Sequence, residues 1–294
     1  MERDTPSVDI AVIGAGRVGT GLAVLWQRAG HRIAAVAGGA ATPERAARFL
    51  PGVPVLDDTA AASNASVVVI ATPDAAIEPV CRMMSSAGAL DDATAVVHAS
   101  GATGLEALGA AATLGAATLS VHPLQTCPTV EAAVERVPGA AFAVTALDDA
   151  GYDLGERLAR DAGGRPFRIA DELKPLYHAA AVFASNYLVT VTAIAEELER
   201  SAGLDDPLGA LAPLQAATLA NVERVGPAAA LTGPAVRGDA VTVRRNLEAL
   251  ANHAPEAVRP YVALADLALG LAERSGRLPA NGREAVEEEL ARWR

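Results

Sequence analysis

The chain has 294 residues, is 51% hydrophobic but only 3% aromatic, and carries a net charge of −11. That length leaves room for two domains with sizeable cores. The acidity provides no basic stripe to displace phosphate counterions, so nucleic acid is not expected as a partner. Cys81 and Cys127 are too few and too scattered for a disulfide framework or a zinc site, and both are expected to be reduced. The N-terminal segment is polar and runs straight into a strand, so no signal peptide is expected and the protein reads as cytoplasmic.

The first half alternates short Val/Ile/Ala runs with longer alanine-rich segments at helical spacing. Strands are expected over 9–13, 32–36, 53–56, 66–71, 94–98, 117–121, 141–145 and 165–169. Helices are expected over 17–29, 43–50, 77–86, 103–112, 130–136 and 148–162. This rhythm indicates an α/β fold, a Rossmann-type doubly wound and mainly parallel sheet covered on both faces. After Ile169 the strand pattern stops, and helices are expected over 174–201, 207–225, 239–252, 255–275 and from Arg283 onward. The chain therefore reads as an α/β domain, 1–170, followed by an all-α domain, 171–294, with a long helix between them. The apolar run 179–195 is interrupted by Ser185, Asn186, Tyr187, Thr190 and Thr192. It is short for a bilayer span, so a buried core helix is expected and no membrane partner.

Gly14-Ala15-Gly16-Arg17-Val18-Gly19 follows the first strand and opens the first helix. Gly14 permits the tight turn, Gly16 lets backbone approach a pyrophosphate, and Gly19 lets helix and strand pack closely. The helix N-terminus then offers unsatisfied donors to the anion. A G-x-G-x-x-G motif alone is weak, but between strand and helix in an alternating chain it specifies a dinucleotide site. The second strand ends at Gly38-Gly39-Ala40, without the carboxylate that holds a ribose 2′-hydroxyl in NAD sites. Thr42, Arg45 and Arg48 follow, so NADP(H) is the expected cofactor, its 2′-phosphate held by Arg17, Thr42, Arg45 or backbone.

In an open parallel sheet, ligands sit beyond the carboxyl ends of the strands. Those ends carry Thr72-Pro73-Asp74, His98-Ala99-Ser100 and His122-Pro123. Thr72, Pro73 and Ser100 are assigned to the cofactor side. His98 and His122 are candidates for substrate contact, with a purely orienting role equally open. Lys174 is the only lysine; every other one of the 24 cationic side chains is arginine. An ammonium loses its proton readily when desolvated, whereas guanidinium does not. Tyr177 and His178 share its helix face three and four residues on, and Ser185 falls near the same stripe. A chance surface lysine is the bland alternative. No metal-ligand spacing and no Gly-x-Ser-x-Gly elbow is present.

With Gly14–Gly19, Thr72-Pro73-Asp74, His98 to Gly101, His122 to Thr126, Lys174 to Asn186 and Leu231 to Asp239 in view, the chain resembles a bacterial family. That family joins a Rossmann-like domain to a helical domain of formerly unknown function. In the wider superfamily the chain is similar to 6-phosphogluconate and 3-hydroxyisobutyrate dehydrogenases, ketopantoate reductase and pyrroline-carboxylate reductase. The resemblance implies NADP-dependent hydride transfer and a homodimer formed through the helical domain. The hydroxyacid dehydrogenases carry Gly-x-x-x-Lys-x-x-x-Asn. Here Ala170 stands for their Gly and His178 for their Asn, so the substrate does not carry over.

The expected reaction is reduction of the carbonyl of a small 2-oxo acid, with Lys174 donating the proton. His178 is a candidate relay, Ser185 and Asn186 candidates for holding the substrate, and Arg237 a candidate carboxylate clamp. Asp239 reads as a helix cap. Reduction of an imine, as in pyrroline-carboxylate reduction, needs the same cofactor and little beyond an acid. A sensor that binds NADP(H) and catalyses nothing is a third reading, against which the solitary lysine argues.

Overall fold

The computed structural model describes residues 7–294, so the N-terminal segment read for a signal peptide lies outside the described residues. By contacts the chain falls into two units, Met1–Asn186 and Tyr187–Arg294. The division lies within the long helical stretch, sixteen residues beyond the end of the 1–170 domain drawn from the sequence (170 against 186).

The first unit is built on seven strands: β1 (Asp9–Ile13), β2 (Arg32–Ala37), β3 (Val67–Ile70), β4 (Ala95–His98), β5 (Ala117–Pro123), β6 (Ala141–Ala146) and β7 (Arg165–Arg168). They form one sheet in the order β2-β1-β3-β4-β5-β6-β7. All neighbours are parallel except β5 and β6. Helices α1 (Arg17–Arg28), α2 (Thr42–Phe49), α3 (Asp58–Ala62), α4 (Asp74–Ser86), α5 (Gly109–Thr113), α6 (Val130–Arg136) and α7 (Asp149–Asp161) alternate with the strands. β3, Val-Val-Val-Ile, is buried at every position, as a strand covered on both faces must be. Its side chains alternate between two cores. Val67 and Val69 join Leu22, Trp26 and Leu158 on one face, and Val68 and Ile70 join Ile77, Met84 and Leu108 on the other.

Two expected elements differ. Residues 53–56 do not form a strand; only Val55 bridges to Val36. Pro54 there has no N–H to give to a ladder, and its carbonyl instead accepts from Val36 N at 2.9 Å. The helix expected over 103–112 is split into a 3-10 turn, Leu105–Leu108, and the short α5. Asp171 fixes the start of that turn, because its carboxylate accepts from Leu105 N at 3.0 and 3.1 Å.

After β7 come a 3-10 turn, Asp171–Leu173, then α8 (Lys174–Ala181), a π-helical turn, Val182–Asn186, and α9 (Tyr187–Ser201). The expectation of a buried core helix fails here. The helical run Asp171–Ser201 contains an 18-residue window of mean hydropathy 1.4, none of it buried, and is long and apolar enough to cross a membrane. Leu176 and Val189 are 71% and 68% exposed. Ile194 and Leu198 pack against the second unit's core, whereas Leu176, Phe183 and Val189 are left exposed.

The second unit continues with α10 (Pro207–Val225), α11 (Pro227–Ala230), α12 (Pro234–Arg237), α13 (Ala240–His253), α14 (Val258–Arg274) and α15 (Gly282–Ala291). Its core gathers Val243, Leu247, Val262, Leu269, Val286 and Leu290. Asp206 and Asp239 cap α10 and α13, accepting from Gly209 N and Thr242 N at 3.0 Å each.

Candidate active site

Two features of the first unit concentrate chemistry at the carboxyl ends of the strands. The first is the glycine turn between β1 and α1. Gly14 has φ +86°, and a Cβ there would lie 2.6 Å from Thr72 N. At Gly19 a Cβ would lie 2.6 Å from the Gly14 carbonyl oxygen. Both glycines are therefore dictated by packing. Gly16 is different: a Cβ there would meet only the Gly14 carbonyl, at 3.8 Å. Its missing side chain keeps space clear outside the protein.

That space is a cleft of ≈ 570 Å³ lined by Gly14, Ala15, Gly16, Gly38 to Thr42, Arg45, Asp58 and Ala71 to Pro73. No side chain caps α1, so its first N–H groups face outward from Gly16. Thr72 adds a buried hydroxyl oxygen with no partner. An anionic, hydroxyl-bearing ligand such as a dinucleotide fits these donors. Arg45 donates to the Ala15 carbonyl at 2.7 Å, which anchors its guanidinium at the cleft wall. Arg17 donates to the Pro128 carbonyl at 3.2 Å. Arg48 does not line the cleft and pairs with Glu131 at 2.5 Å. Asp58, at the start of α3, is a lining carboxylate that the sequence pattern does not single out. Burial and its neighbour Asp57 raise its pKa.

The second feature is Lys174. The side chain is fully buried, among the largest that are. Its Nζ donates to Ser120 Oγ at 2.7 Å and to the Ser100 carbonyl at 3.0 Å. Ser120 Oγ in turn donates to the same carbonyl at 3.2 Å, closing a triangle across the ends of β4 and β5. Burial lowers the Lys174 pKa to about 8, against the opposing fields of Asp171, Asp74 and Glu106. Ser100 is held in place by its own hydroxyl, which accepts from Ala102 N and Thr103 N at 3.2 and 3.0 Å.

His98 lies beside Ser120 in the sheet register and is fully buried. Its Nδ1 accepts from Ser100 N at 3.2 Å, so the proton sits on Nε2, which meets no acceptor in hydrogen-bond geometry among the described residues. Burial, then the charge of Lys174, pushes its pKa to about 3, against a smaller opposing effect of the Gly104 backbone. His122, two residues beyond Ser120 on the same strand face, is only partly buried. Its Nδ1 lies 2.9 Å from the Tyr177 hydroxyl. Burial and Lys174 bring it to about 4, and burial raises Tyr177 to about 12.

Lys174, Tyr177, His98, His122 and Ser100, all singled out by the sequence, thus meet in one cluster. His178 is half-buried one residue beyond Tyr177, its Nδ1 closed off from solvent without a partner. Ser185 and Asn186 sit in the π-helical turn, which breaks the period of 3.6 that sets Ser185 on the Lys174 stripe. Arg237 belongs to the second unit, is exposed, and lies 4.0 Å from Asp239. Ser120 is the residue that sequence reasoning misses. Its only signal is the spacing of two that sets it on the His122 face.

A glycine-bearing β–α turn at the head of a parallel sheet, with a cleft beyond it, defines a Rossmann-like domain. A family model for a Rossmann-like domain matches residues 2–123, and the model of a domain of unknown function (DUF2520) matches residues 140–268. The chain thus carries a Rossmann-like domain followed by a DUF2520 domain. No curated protein matches it. Among solved structures, it is similar to BF3122 from Bacteroides fragilis, a candidate NADP oxidoreductase (TM-score 0.74, 23% identity, covering 90% of this chain and 98% of that one). TM1727 from Thermotoga maritima gives a TM-score of 0.70 at 22% identity, covering 91% and 100%. Pyrroline carboxylate reductase from Plasmodium falciparum, with NADP bound, gives 0.58 at 12% identity, covering 95% and 98%. These likenesses are of fold.

Proposed function

We propose that this protein is an NADP(H)-dependent oxidoreductase that reduces the carbonyl of a small 2-oxo acid, in the manner of a ketopantoate reductase, with Lys174 as the proton source. One observation carries the reading. The chain's only lysine is buried at the carboxyl ends of β4 and β5 and held by Ser100 and Ser120 at a pKa of about 8. A group this close to neutrality both stabilises alkoxide charge and gives up a proton.

When bound, the cofactor supplies hydride to the carbonyl carbon. The protein's part is to hold the pyrophosphate on the α1 N-terminus, to take hydroxyls on Thr72, and to favour a 2′-phosphate. Support for the phosphate is the absence of a carboxylate at Gly38-Gly39 and the presence of Thr42 and Arg45 on the cleft wall. His98, buried and neutral, serves to orient the Ser100 turn rather than to touch substrate. Ser185, Asn186 and His178 remain in this reading as substrate-side groups. The exposed apolar positions Leu176, Val189 and Val191 support a homodimer formed through the helical run.

Imine reduction is the second reading, favoured by the fold likeness to pyrroline carboxylate reductase. Purified protein assayed with ketopantoate and with pyrroline-carboxylate, following NADPH absorbance, separates the two. Turnover of the first alone supports the proposal, and turnover of the second alone replaces it. NADPH binding without turnover over a broad carbonyl and imine panel overturns both in favour of a non-catalytic sensor.

A further inference from the structure

Lys174 is buried and spends two of its three N–H groups on Ser120 and Ser100, which leaves one for the proton it gives up, so the substrate's acceptor atom needs a second donor to hold it. His122 has the required features. The residue is partly exposed, and its Nε2 has no hydrogen-bond partner among the described residues. The ring lies flat against Gly101, where a Cβ would come within 2.8 Å of Cε1 and 3.0 Å of both nitrogens. Any side chain at position 101 would displace it. Tyr177 meets the ring edge-on with centroids 5.6 Å apart, and Phe167 meets Tyr177 at 5.9 Å.

The hydrogen bond between His122 Nδ1 and the Tyr177 hydroxyl, at 2.9 Å, has a direction. A phenol is a much stronger acid than a neutral imidazole N–H, so the phenol donates and Nδ1 accepts. The imidazole proton is then confined to Nε2. Burial, and then the charge of Lys174, keep the ring neutral, so it does not become a second cation.

We propose that His122, as the neutral Nε2–H tautomer, is the hydrogen-bond donor that receives the substrate's carbonyl oxygen or imine nitrogen, and that Tyr177 is the positioning residue that fixes this tautomer. No proton leaves the ring: it holds the acceptor and polarises the double bond. A neutral imidazole donor of this kind strengthens its bond as charge develops on the acceptor. The substrate half of this inference rests on the reductase reading. The tautomer half does not.

The test is 15N NMR of histidine-labelled protein, wild type and Tyr177→Phe. The wild type is expected to show His122 as a single Nε2–H tautomer, and the variant a mixture, with its aromatic packing intact. A wild-type Nδ1–H tautomer overturns the inference whatever the activity. Kinetics supply the second arm, with whichever carbonyl or imine of the panel is turned over. His122→Ala is expected to lose about 10²-fold in kcat and Tyr177→Phe about 10-fold, with NADPH affinity unchanged within about twofold. His122→Gln, which keeps an N–H donor, is expected to recover part of the loss. A Tyr177→Phe variant that scrambles the tautomer yet turns over at the wild-type rate also overturns it. If no panel member is turned over, the reductase reading falls and the tautomer measurement still decides the state of His122.

Discussion

Lys174 Nζ lies 2.7 Å from Ser120 Oγ, and the two side chains meet in a niche closed to solvent. A buried ammonium must find acceptors, and here it finds a hydroxyl and the Ser100 carbonyl, with three carboxylates acting only through their fields. Ser120→Ala removes one of the two acceptors. It is expected to cost about 1–3 kcal/mol of stability by leaving a charged donor short of a partner, and to lower the Lys174 pKa further. Urea denaturation measures the first effect. An unchanged midpoint would mean that the hydroxyl does not hold the ammonium.

Lys174→Met keeps the volume and removes the charge. Replacing a buried charge with an apolar side chain is neutral or stabilising for the fold, whereas kcat is expected to fall about 10²–10⁴-fold. In the reducing direction the ammonium form is required, so wild-type kcat falls as pH rises through about 8, the folded pKa of Lys174. The pH limb near 8 is absent from the Lys174→Met variant. Retention of that limb would assign it to another group.

Stability has its own pH signature. His98 titrates at about 3 and His122 at about 4 in the fold, against an ordinary value of 6.5. Between the folded and unfolded values the unfolded chain binds protons that the folded one does not, so stability falls as pH drops from 6.5 toward 4. Each tenfold difference in proton affinity between the folded and unfolded chain corresponds to about 1.4 kcal/mol. Urea midpoints measured between about pH 4 and 7 should show the slope, and His98→Asn should flatten part of it. A flat wild-type profile would mean that the two rings are protonated in the fold.

The glycine turn separates fold from ligand. Gly19→Ala drives a Cβ to 2.6 Å from the Gly14 carbonyl and is expected to lower the melting temperature markedly. Gly16→Ala meets almost nothing in the protein, so it should melt near wild type yet bind NADPH at least about tenfold more weakly. Thermal melting with and without NADPH distinguishes the two. Equal NADPH affinity for wild type and Gly16→Ala would remove the pyrophosphate from this turn.

Much of this architecture is legible in the chain alone. Strand and helix alternation follows from local apolar period: seven of eight expected strands form, six of them mainly apolar runs within the buried sheet and the seventh, β7, an exposed Arg-Pro-Phe-Arg edge strand. The exception, 53–56, contains Pro54, whose missing N–H limits it to a single bridge. Gly14 and Gly19 are legible because a left-handed turn and a close helix–strand approach demand them, and Gly16 because it keeps the ligand side open. Lys174 is legible because it is alone. Ser120 is not, since a serine inside an apolar strand looks like any other until the fold sets a lysine against it. The π-helical turn at Val182–Asn186 is also hidden, and with it the displacement of Ser185. Burial of the long helix does not follow from its hydropathy, which reports what a segment avoids and not which surface covers it.

One lysine in the chain means one signal. Protein labelled with 15Nζ-lysine gives a single side-chain resonance, whose titration reads the Lys174 ammonium without assignment. A midpoint of about 8, moving when NADP+ and then substrate are added, is what a buried proton source beside the cofactor cleft predicts. A midpoint at the ordinary lysine value of 10.5, unmoved by either ligand, would contradict it.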